Sequence, residues 1–411
     1  MTNMQNVIRP FAVACLARLL LALPLSLLLA PSLLSAQSSA DKLHLDIRET
    51  VLRVPVSVLD ATGRSVVGDL VVTTFKPAGP GPFPLLIISH GRSSQHRALL
   101  ERQRFESAAR FFVRKGFAVA VPLRLGYGEL ADLGDPESIG ICAQPHYAPA
   151  LTAAAQQILA VAQAMVLQPD VDASRLVLVG HSVGGMASLA VASLRPPGLL
   201  AAITFSGGHG GSSLERPGVP CQPEQLTALF QAYGAEAEAA AKSTPTLWIY
   251  TRNDFYYGPQ YSRAWAEAYR GAGGQVNYQL LPAIGDDGHK LFAQANDVWQ
   301  PLVDTFLAKL GFPQAGTLRA PPASGFAALA DAAAVPIQSA AQLPAAREAY
   351  QNFLASKPPR AFAVNAAGQW GYASGEDVMS RALGFCQRQV SQVDRACSLY
   401  AVNDSVVWNP Q

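Results

Sequence analysis

The sequence contains one run of residues with the types and spacing that nucleophilic catalysis needs, GHSVGG at residues 180–185. The pattern G-x-S-x-G is typical of a nucleophile elbow when a buried strand precedes it and a helix follows it. A strand is predicted over residues 176–179 and a helix over residues 183–194. Such a turn leaves the serine hydroxyl at a helix N-terminus, which favours a developing anion. Although ordinary glycine-rich turns share the pattern, this context predicts Ser182 as a nucleophile.

A serine hydroxyl is a weak nucleophile at neutral pH, so it needs a histidine as base and a carboxylate that orients the histidine. After an elbow of this kind, the acid precedes the histidine in the chain. Asp254 comes just after a predicted strand over residues 246–250, and His289 is the only histidine beyond it. We predict Asp254 as the acid and His289 as the base. Asp286 and Asp287 are alternatives for the acid, although they lie too near His289 in sequence to orient it easily.

Acyl transfer through a serine also needs two backbone N–H groups that stabilise the oxyanion. One is expected from Val183, directly after the nucleophile. The other is expected from the loop that follows the predicted strand ending at Ser89, where Gly91 lets the backbone approach a substrate. We predict Arg92 as the second donor, and we expect His90 to pack or hydrogen-bond within this loop.

Strands and helices alternate along residues 41–312, which we predict to form the catalytic domain. The apolar run over residues 85–88 is typical of a strand buried on both faces. The alternation indicates an α/β fold with a mostly parallel central sheet flanked by helices. A β-rich opening is predicted over residues 43–76, further strands over 85–88, 117–121, 176–179, 200–205, 246–250 and 276–281, and helices over 105–115, 148–167 and 183–194.

Residues 85–310 resemble the α/β-hydrolase superfamily, closest to its dienelactone-hydrolase-like and serine esterase branch. The resemblance implies the α/β-hydrolase fold and hydrolysis of carboxylic esters through an acyl-enzyme, with no cofactor and a small-molecule ester as substrate. The motifs that carry it are SHG at 89–91, DASR at 172–175, GHSVGG at 180–185, ND at 253–254 and GH at 288–289.

The nucleophile separates this chain from the dienelactone hydrolases that it resembles. Those enzymes use cysteine, whereas this chain has Ser182, and a lactone substrate is therefore disfavoured. The order of elements is similar to that of acyl peptidases of the prolyl-oligopeptidase type, although no propeller is evident, so an exported peptidase or amidase is the alternative function. A binding protein that has lost activity is disfavoured by the complete Ser-His-Asp set.

Two insertions, residues 125–149 and 207–244, leave the predicted sheet at its catalytic edge, where open α/β sheets bind ligands. They are predicted to shape the substrate pocket. Tyr127 and the aromatic run at residues 255–257 are expected either to line an apolar acyl or alcohol pocket or simply to pack in the core.

The five cysteines are Cys15, Cys142, Cys221, Cys386 and Cys397. Removal of an N-terminal leader would leave four, and an even number in an exported chain suggests disulfides. Cys386 lies on a predicted helix and Cys397 enters the following strand, so we predict that these two pair. The remaining two lie in the two insertions, and we predict a second disulfide between them over the active site.

The N-terminus has the organisation of a secretory signal peptide, which we predict over residues 1–36. Arg9 and Arg18 precede or interrupt an apolar stretch, residues 19–34 carry no charge, and small residues follow. Cleavage after Ala36 or Ala40 fits the pattern. An uncleaved anchor is disfavoured because prolines interrupt the short apolar run. We therefore expect a periplasmic or secreted protein with no stable membrane insertion after signal removal.

The C-terminal part changes in composition. Residues 313–360 are rich in alanine and proline, and we predict a linker that includes a short helix over about 344–354. Residues 361–411 regain a strand–helix–strand pattern, which predicts a small α+β module. This unit resembles a small disulfide-containing module of exported bacterial proteins.

Charge and composition disfavour several classes of function. Lys and Arg number 31 and Asp and Glu number 29, so the chain has no electrostatic footprint for nucleic acid. Cysteines with C-x-x-C spacing are absent from the sequence and no histidine follows His289, which makes a zinc site improbable. The sequence leaves the oligomeric state open.

Overall fold

The computed structural model describes residues 43–409 except 45–46, 78, 94, 239–242, 314–319, 338–341, 366, 376–377 and 388–396. The predicted signal peptide lies outside the described residues. The described strands are β1 (Thr50–Leu59), β2 (Ser65–Phe75), β3 (Phe83–Ser89), β4 (Ala118–Leu123), β5 (Val171–His181), β6 (Leu199–Phe205), β7 (Thr246–Thr251), β8 (Val276–Leu281), β9 (Arg360–Val364), β10 (Trp370–Ser374), β11 (Ser398–Val402) and β12 (Ser405–Val406). The described helices are α1 (Glu106–Arg114), α2 (Tyr147–Val166), α3 (Val183–Leu194), α4 (Pro223–Glu238), α5 (Pro259–Gly271), α6 (Leu291–Gln294), α7 (Asn296–Ala308), α8 (Leu343–Ala355) and α9 (Val378–Gln387).

The first eight strands form one sheet in the order β1-β2-β4-β3-β5-β6-β7-β8. The six strands from β4 to β8 are parallel, and the β1–β2 hairpin adds antiparallel strands at one edge. The chain passes from β3 to β4 on one side and then returns to β5 on the other. The loops after β3 and β5 therefore diverge at a switch point, where open parallel sheets bind ligands.

Helices cover both faces of this sheet, which explains why central strands such as β4 and β7 are buried along their whole length. In β5, Leu176 and Leu178 belong to the core under α2 and α3, whereas Val177 and Val179 belong to the core under α1 and α7. The long apolar helix α2 has the length and hydropathy of a membrane span, but more than half of it is buried inside the protein. The predicted mostly parallel sheet with flanking helices is confirmed.

The C-terminal module has its own antiparallel sheet in the order β10-β9-β11-β12. One face packs against α8, where Tyr350 and Phe353 join Phe362 and Tyr400 in a single core. The other face presents small residues such as Ala363 to α9, so the helix can lie close to the sheet. The predicted small α+β module is confirmed.

Two details of this module differ from the sequence analysis. The short helix predicted within the linker, over about 344–354, is present as α8, but its apolar residues Ala346, Ala349, Tyr350 and Phe353 share one helical face that is buried in the module. The core of the module therefore begins before residue 361. Strands β10 and β12 were not predicted because they are short and lack a clear alternation of apolar and polar residues.

The module packs on helix α1 of the catalytic domain. The Arg114 guanidinium donates a hydrogen bond to the Ser380 hydroxyl on α9 at 3.0 Å. Gly384 faces the Arg110 guanidinium so closely that any Cβ at this position would collide with it. The contact therefore depends on a glycine on α9 and on arginines along α1.

Candidate active site

Ser182 joins β5 to α3 with a backbone conformation that L-amino acids rarely adopt, φ 55° and ψ −123°. Its N–H donates to the Phe205 carbonyl on β6 at 2.9 Å, which anchors the turn. A Cβ on Gly180 would collide with the Gly184 carbonyl, and a Cβ on Gly184 would collide with the Ser89 carbonyl. The chain at this turn therefore needs glycine on both sides of a strained serine, a strain worth about 1–3 kcal/mol.

Asp254 and His289 come together from the loops after β7 and β8. Nδ1 of His289 lies 3.0 and 3.1 Å from the two carboxylate oxygens of Asp254. The carboxylate also accepts the backbone N–H groups of Tyr256 at 2.8 Å and Tyr257 at 3.0 Å. Burial alone would raise the pKa of Asp254, but the charge of His289 and the hydrogen bonds outweigh burial, so its pKa lies below the ordinary value. Asp254 is thus an ionised, buried acceptor for the His289 ring.

The two alternative acids lie nearby without reaching the His289 ring. Asp287 caps the turn over Gly288–Lys290, where its carboxylate accepts the backbone N–H of His289 at 3.0 Å. The same carboxylate accepts the N–H of Phe255 at 3.2 Å and so ties the acid and base loops together. Asp286 is exposed. Asp287 therefore shapes the loop that carries His289.

His181 holds the backbone of His289 by a hydrogen bond. The sequence analysis did not assign this role. Its Nε2 lies 2.7 Å from the His289 carbonyl, and because a carbonyl only accepts, Nε2 carries the proton. Burial, together with the nearby charge of His289, lowers the pKa of His181 to about 4, so the ring is neutral at pH 7. Its place directly before the serine in the elbow motif was the available signal.

The loop after β3 is held in place by His90. Nδ1 of His90 donates to the Gly91 carbonyl at 2.7 Å, and Nε2 accepts the backbone N–H of Arg124 at 3.2 Å. Burial, aided by the charge of Arg124, lowers the pKa of His90 well below its ordinary value. His90 is therefore a neutral residue that hydrogen-bonds within its loop, as the sequence analysis expected.

The same loop runs directly beside the elbow. A Cβ on Gly91 would lie 3.1 Å from the Cβ of Ser182, closer than side chains normally pack. Arg92, the predicted second oxyanion donor, follows Gly91, while Val183, the predicted first donor, is the first residue of α3. Arg92, Ser182 and Val183 border the same cavity.

The side chain of Arg92 belongs to a buried ionic network under the cavity. Its guanidinium makes two hydrogen bonds to Asp135, at 2.7 and 2.6 Å, and a third to the Tyr127 hydroxyl at 3.2 Å. That hydroxyl donates to Glu137 at 2.7 Å, and Glu137 pairs with the fully buried Arg124 at 2.6 Å. Burial would raise the pKa of Glu137, but the charge of Arg124 and its hydrogen bonds outweigh burial and lower this pKa overall. Both members of the pair therefore stay charged. This network fixes the first insertion, and it was missed because the pairing depends on the fold.

A cavity of about 460 Å³ opens in front of Ser182. Both predicted insertions line it, and the disulfide predicted between them, Cys142–Cys221, is confirmed and lies in its wall. The expectation of an apolar pocket is wrong, because polar side chains predominate: His96, Ser138, His209, Ser212, Ser213 and Arg216. The second predicted disulfide, Cys386–Cys397, is also confirmed.

The aromatic residues predicted for the pocket divide into two groups. Tyr256 and Tyr257 line the cavity. The Tyr256 ring stacks on His289 with ring centroids 4.1 Å apart, and the Tyr257 ring meets His289 edge-on at 5.4 Å. Tyr127 is fully buried in the core and Phe255 is 43% exposed, and neither borders the cavity.

The strand order and the elbow at the end of β5 define an α/β-hydrolase fold. No family model and no curated protein matches this sequence. Solved structures that resemble it include hydrolases, and the three described next align with 62–64% of this chain.

Three of these structures illustrate the likeness. A dienelactone hydrolase candidate from Klebsiella pneumoniae has 18% identity and a TM-score of 0.41, covering 63% of this chain and 99% of its own. The esterase Est1E from Butyrivibrio proteoclasticus has 17% identity and a TM-score of 0.40, covering 62% and 98%. Pyrococcus horikoshii acylaminoacyl peptidase has 17% identity and a TM-score of 0.45, covering 64% of this chain and 42% of its own, so this chain spans under half of that peptidase. At these TM-scores the assignment of the fold depends on the strand order.

Proposed function

We propose that this protein is a serine hydrolase that cleaves carboxylic esters through an acyl-enzyme, with Ser182 as nucleophile, His289 as base and Asp254 as the orienting acid. The observation that carries the proposal is the pairing of the Asp254 carboxylate with Nδ1 of His289, whose carbonyl accepts a hydrogen bond from His181, the residue directly before Ser182 in the elbow. Because the carboxylate is an acceptor, Nδ1 is the protonated ring nitrogen, and Nε2 has a lone pair for the serine proton.

The proposed reaction starts when Ser182 Oγ attacks the ester carbonyl carbon while its proton passes to Nε2 of His289. The carbonyl π electrons move onto oxygen, and the backbone N–H groups of Val183 and Arg92 stabilise this oxyanion. The intermediate collapses, the C–O bond to the alcohol breaks, and the alcohol leaves with the proton from His289. Water then repeats the sequence, which releases the carboxylic acid and restores Ser182.

His181 and Asp287 act in this mechanism as positioning residues. His181 holds the His289 carbonyl and Asp287 holds its N–H, so the backbone on both sides of the base is fixed. Fixing the base in advance lowers the cost of reaching the reactive geometry.

We further propose that the protein works in the periplasm or outside the cell. The two disulfides support this location, because such bonds persist in oxidising compartments. The charged start and apolar run at the N-terminus of the sequence support it as well.

The test is a screen of the purified protein on p-nitrophenyl esters of increasing chain length beside aminoacyl and peptidyl anilides. We expect ester hydrolysis that Ser182→Ala reduces on the order of 10⁴-fold or more, and labelling of Ser182 by a fluorophosphonate probe. The matched control is Ser193→Ala, which removes a buried hydroxyl from the same helix that bonds only the Ala190 carbonyl at 2.9 Å. Faster cleavage of anilides than of esters would favour the peptidase alternative, and full activity in Ser182→Ala would refute both.

A further inference from the structure

Tyr257 is held rigidly at the edge of the cavity. It lies three residues after Asp254, whose carboxylate accepts its backbone N–H at 3.0 Å. Its ring packs edge-on against Trp265 on α5, with centroids 5.5 Å apart, and against His289 at 5.4 Å. The backbone and the ring are therefore fixed by the acid loop, the base loop and a helix together.

The loop after β6 is shaped around this ring. A Cβ on Gly208 would lie 2.8 Å from the Tyr257 ring, and a Cβ on Gly211 would also lie 2.8 Å from it. Side chains at either position would displace the ring, since real Cβ atoms do not approach other atoms so closely. The glycines leave room for a large aromatic residue beside the nucleophile.

The hydroxyl of Tyr257 interacts with the side chain of Ser182, the proposed nucleophile. The residue is only 1% exposed, yet it borders the cavity together with Ser182. Burial raises the pKa of Tyr257 well above its ordinary value, and the interaction of its hydroxyl with the Ser182 side chain offsets this only in part. The phenol thus keeps its proton at neutral pH, and a permanent hydrogen-bonding group stands beside the proposed nucleophile.

We propose that the Tyr257 hydroxyl makes this site selective for esters whose acyl group carries a hydroxyl next to the scissile carbonyl. The inference depends on the proposed esterase function and names its substrate class. An acyl group bonded to Ser182 Oγ lies against the Tyr257 hydroxyl, because both side chains border the same cavity and interact. A hydroxyl on the acyl group gives the buried phenol a further hydrogen-bond partner beside Ser182, whereas an alkyl group in the same place excludes water and offers no partner in return.

The rest of the cavity agrees with a hydroxylated acyl group. Ser212, Ser213 and Arg216 of the second insertion line it beside Tyr257. A long alkyl chain would strip water from these groups without replacing their hydrogen bonds, whereas a hydroxyacyl group offers donors and acceptors to them.

The experiment compares methyl lactate with methyl propionate, which differ by one hydroxyl on the carbon next to the carbonyl, by pH-stat titration. We expect Tyr257→Phe to reduce the ratio of kcat/KM for lactate over propionate by about 10- to 100-fold, chiefly through loss on lactate, the size expected when one buried hydrogen-bond partner is removed. Since each protein is its own reference, the different intrinsic reactivity of the two esters cancels.

Tyr250→Phe is the matched control. It removes another fully buried phenol hydroxyl, one that donates to the Gly207 carbonyl at 2.6 Å in the loop after β6. We expect it to lower thermal stability and leave the lactate-to-propionate ratio unchanged. A ratio that shifts equally in both variants would show a general effect of packing and overturn the proposal.

A second pair of esters tests whether Tyr257 contacts the acyl part or the alcohol part of the substrate. Propyl propionate and 2-hydroxyethyl propionate carry the difference in the alcohol, and we expect Tyr257→Phe to leave their ratio unchanged. A ratio that changes only for this pair, or no change with lactate, overturns the acyl assignment while the esterase function stands. If the wild-type protein hydrolyses none of these esters and Ser182 resists the fluorophosphonate, the proposed function itself fails.

Discussion

The predicted catalytic domain and the C-terminal module are packed in the same way, yet among the described residues only the first brings histidine and carboxylate side chains together. Both bury a sheet between helices, and each contains one disulfide. In the catalytic domain, parallel strands end at a common edge, so loops from β3, β5, β7 and β8 bring histidines and a carboxylate together. The module has antiparallel strands and no histidine. The difference shows that strand direction determines whether polar loops converge.

The largest expected effect tests the chemical side of this comparison. Asp254→Asn replaces an acceptor with an amide that can no longer fix the protonated state of Nδ1 on His289. We expect turnover of esters to fall about 10⁴-fold with little change in fold. Steady-state kinetics and circular dichroism measure the two quantities. Asp286→Asn, at the exposed alternative acid, is the control; if it, and not Asp254→Asn, removed activity, the acid would be assigned to the wrong residue.

The next effect concerns the disulfide in the cavity wall. Removing Cys142–Cys221 by a double change to serine opens a loop that spans 79 positions and contains the elbow. The chain-entropy model gives a loss of about 4.5 kcal/mol in the free energy of unfolding. We also expect an altered preference among esters, because both residues border the cavity. Urea titration and the ester screen check this; unchanged selectivity would show that the insertions hold their arrangement without the bond.

Removing the disulfide of the module should lower its stability and leave catalytic activity nearly unchanged. Cys386 and Cys397 lie 11 positions apart, and the chain-entropy model gives a loss of about 3 kcal/mol for so short a loop. We expect the double change to serine to loosen the module and leave kcat within about twofold, since no residue of the proposed triad lies there. A large loss of activity in the folded variant would mean that the module acts on the catalytic domain through α1.

The smallest expected effect is on how the free energy of unfolding of the catalytic domain changes as the pH falls. Burial, with the charge of Arg92, lowers the pKa of His209 to about 4, while its ordinary value is about 6.5. Between these values the unfolded chain binds a proton that the folded one excludes, so the free energy of unfolding falls as the pH drops from about 6.5 to 4, by up to about 1.4 kcal/mol per pH unit. Below pH 4 both states bind the proton and the fall ends.

His209→Gln should reduce the slope of the free energy of unfolding against pH, by up to the equivalent of one proton taken up on unfolding. Urea titrations at pH 7, 5.5 and 4.5 measure this slope. Since the module lacks histidine, we expect its unfolding to change less over the same range. An unchanged slope in the variant would place the acid sensitivity in other buried groups.

The groups that the sequence could identify are those whose position follows from the ends of strands. Ser182 was predictable from the small residues of its turn, and Asp254 and His289 from their order after β7 and β8. The two disulfides were predictable because the insertions leave the same edge of the sheet and because one cysteine pair lies in one small unit.

The remaining features depend on contacts between distant parts of the chain. Neither the bond from His181 to the His289 carbonyl nor the pairing of Arg124 with Glu137 leaves a pattern in the sequence, since each requires the loops to be in place first. The polar wall of the cavity was missed for the same reason: the aromatic run at residues 255–257 suggested an apolar pocket, but the second insertion supplies serines and an arginine. Helix α8, by contrast, was predicted as a short helix over about 344–354, but its place in the core of the module was not.

The backbone conformation of Ser182 lowers the stability of the fold at the same residue that supplies the proposed nucleophile. Glycine adopts φ 55° without a steric penalty, so Ser182→Gly is expected to increase the free energy of unfolding by about 1 kcal/mol while removing the proposed nucleophile. Directed evolution that rewards only heat resistance would therefore favour an inert protein at residue 182. Thermostable variants of this chain have to be selected for turnover at the same time, or with this codon held constant.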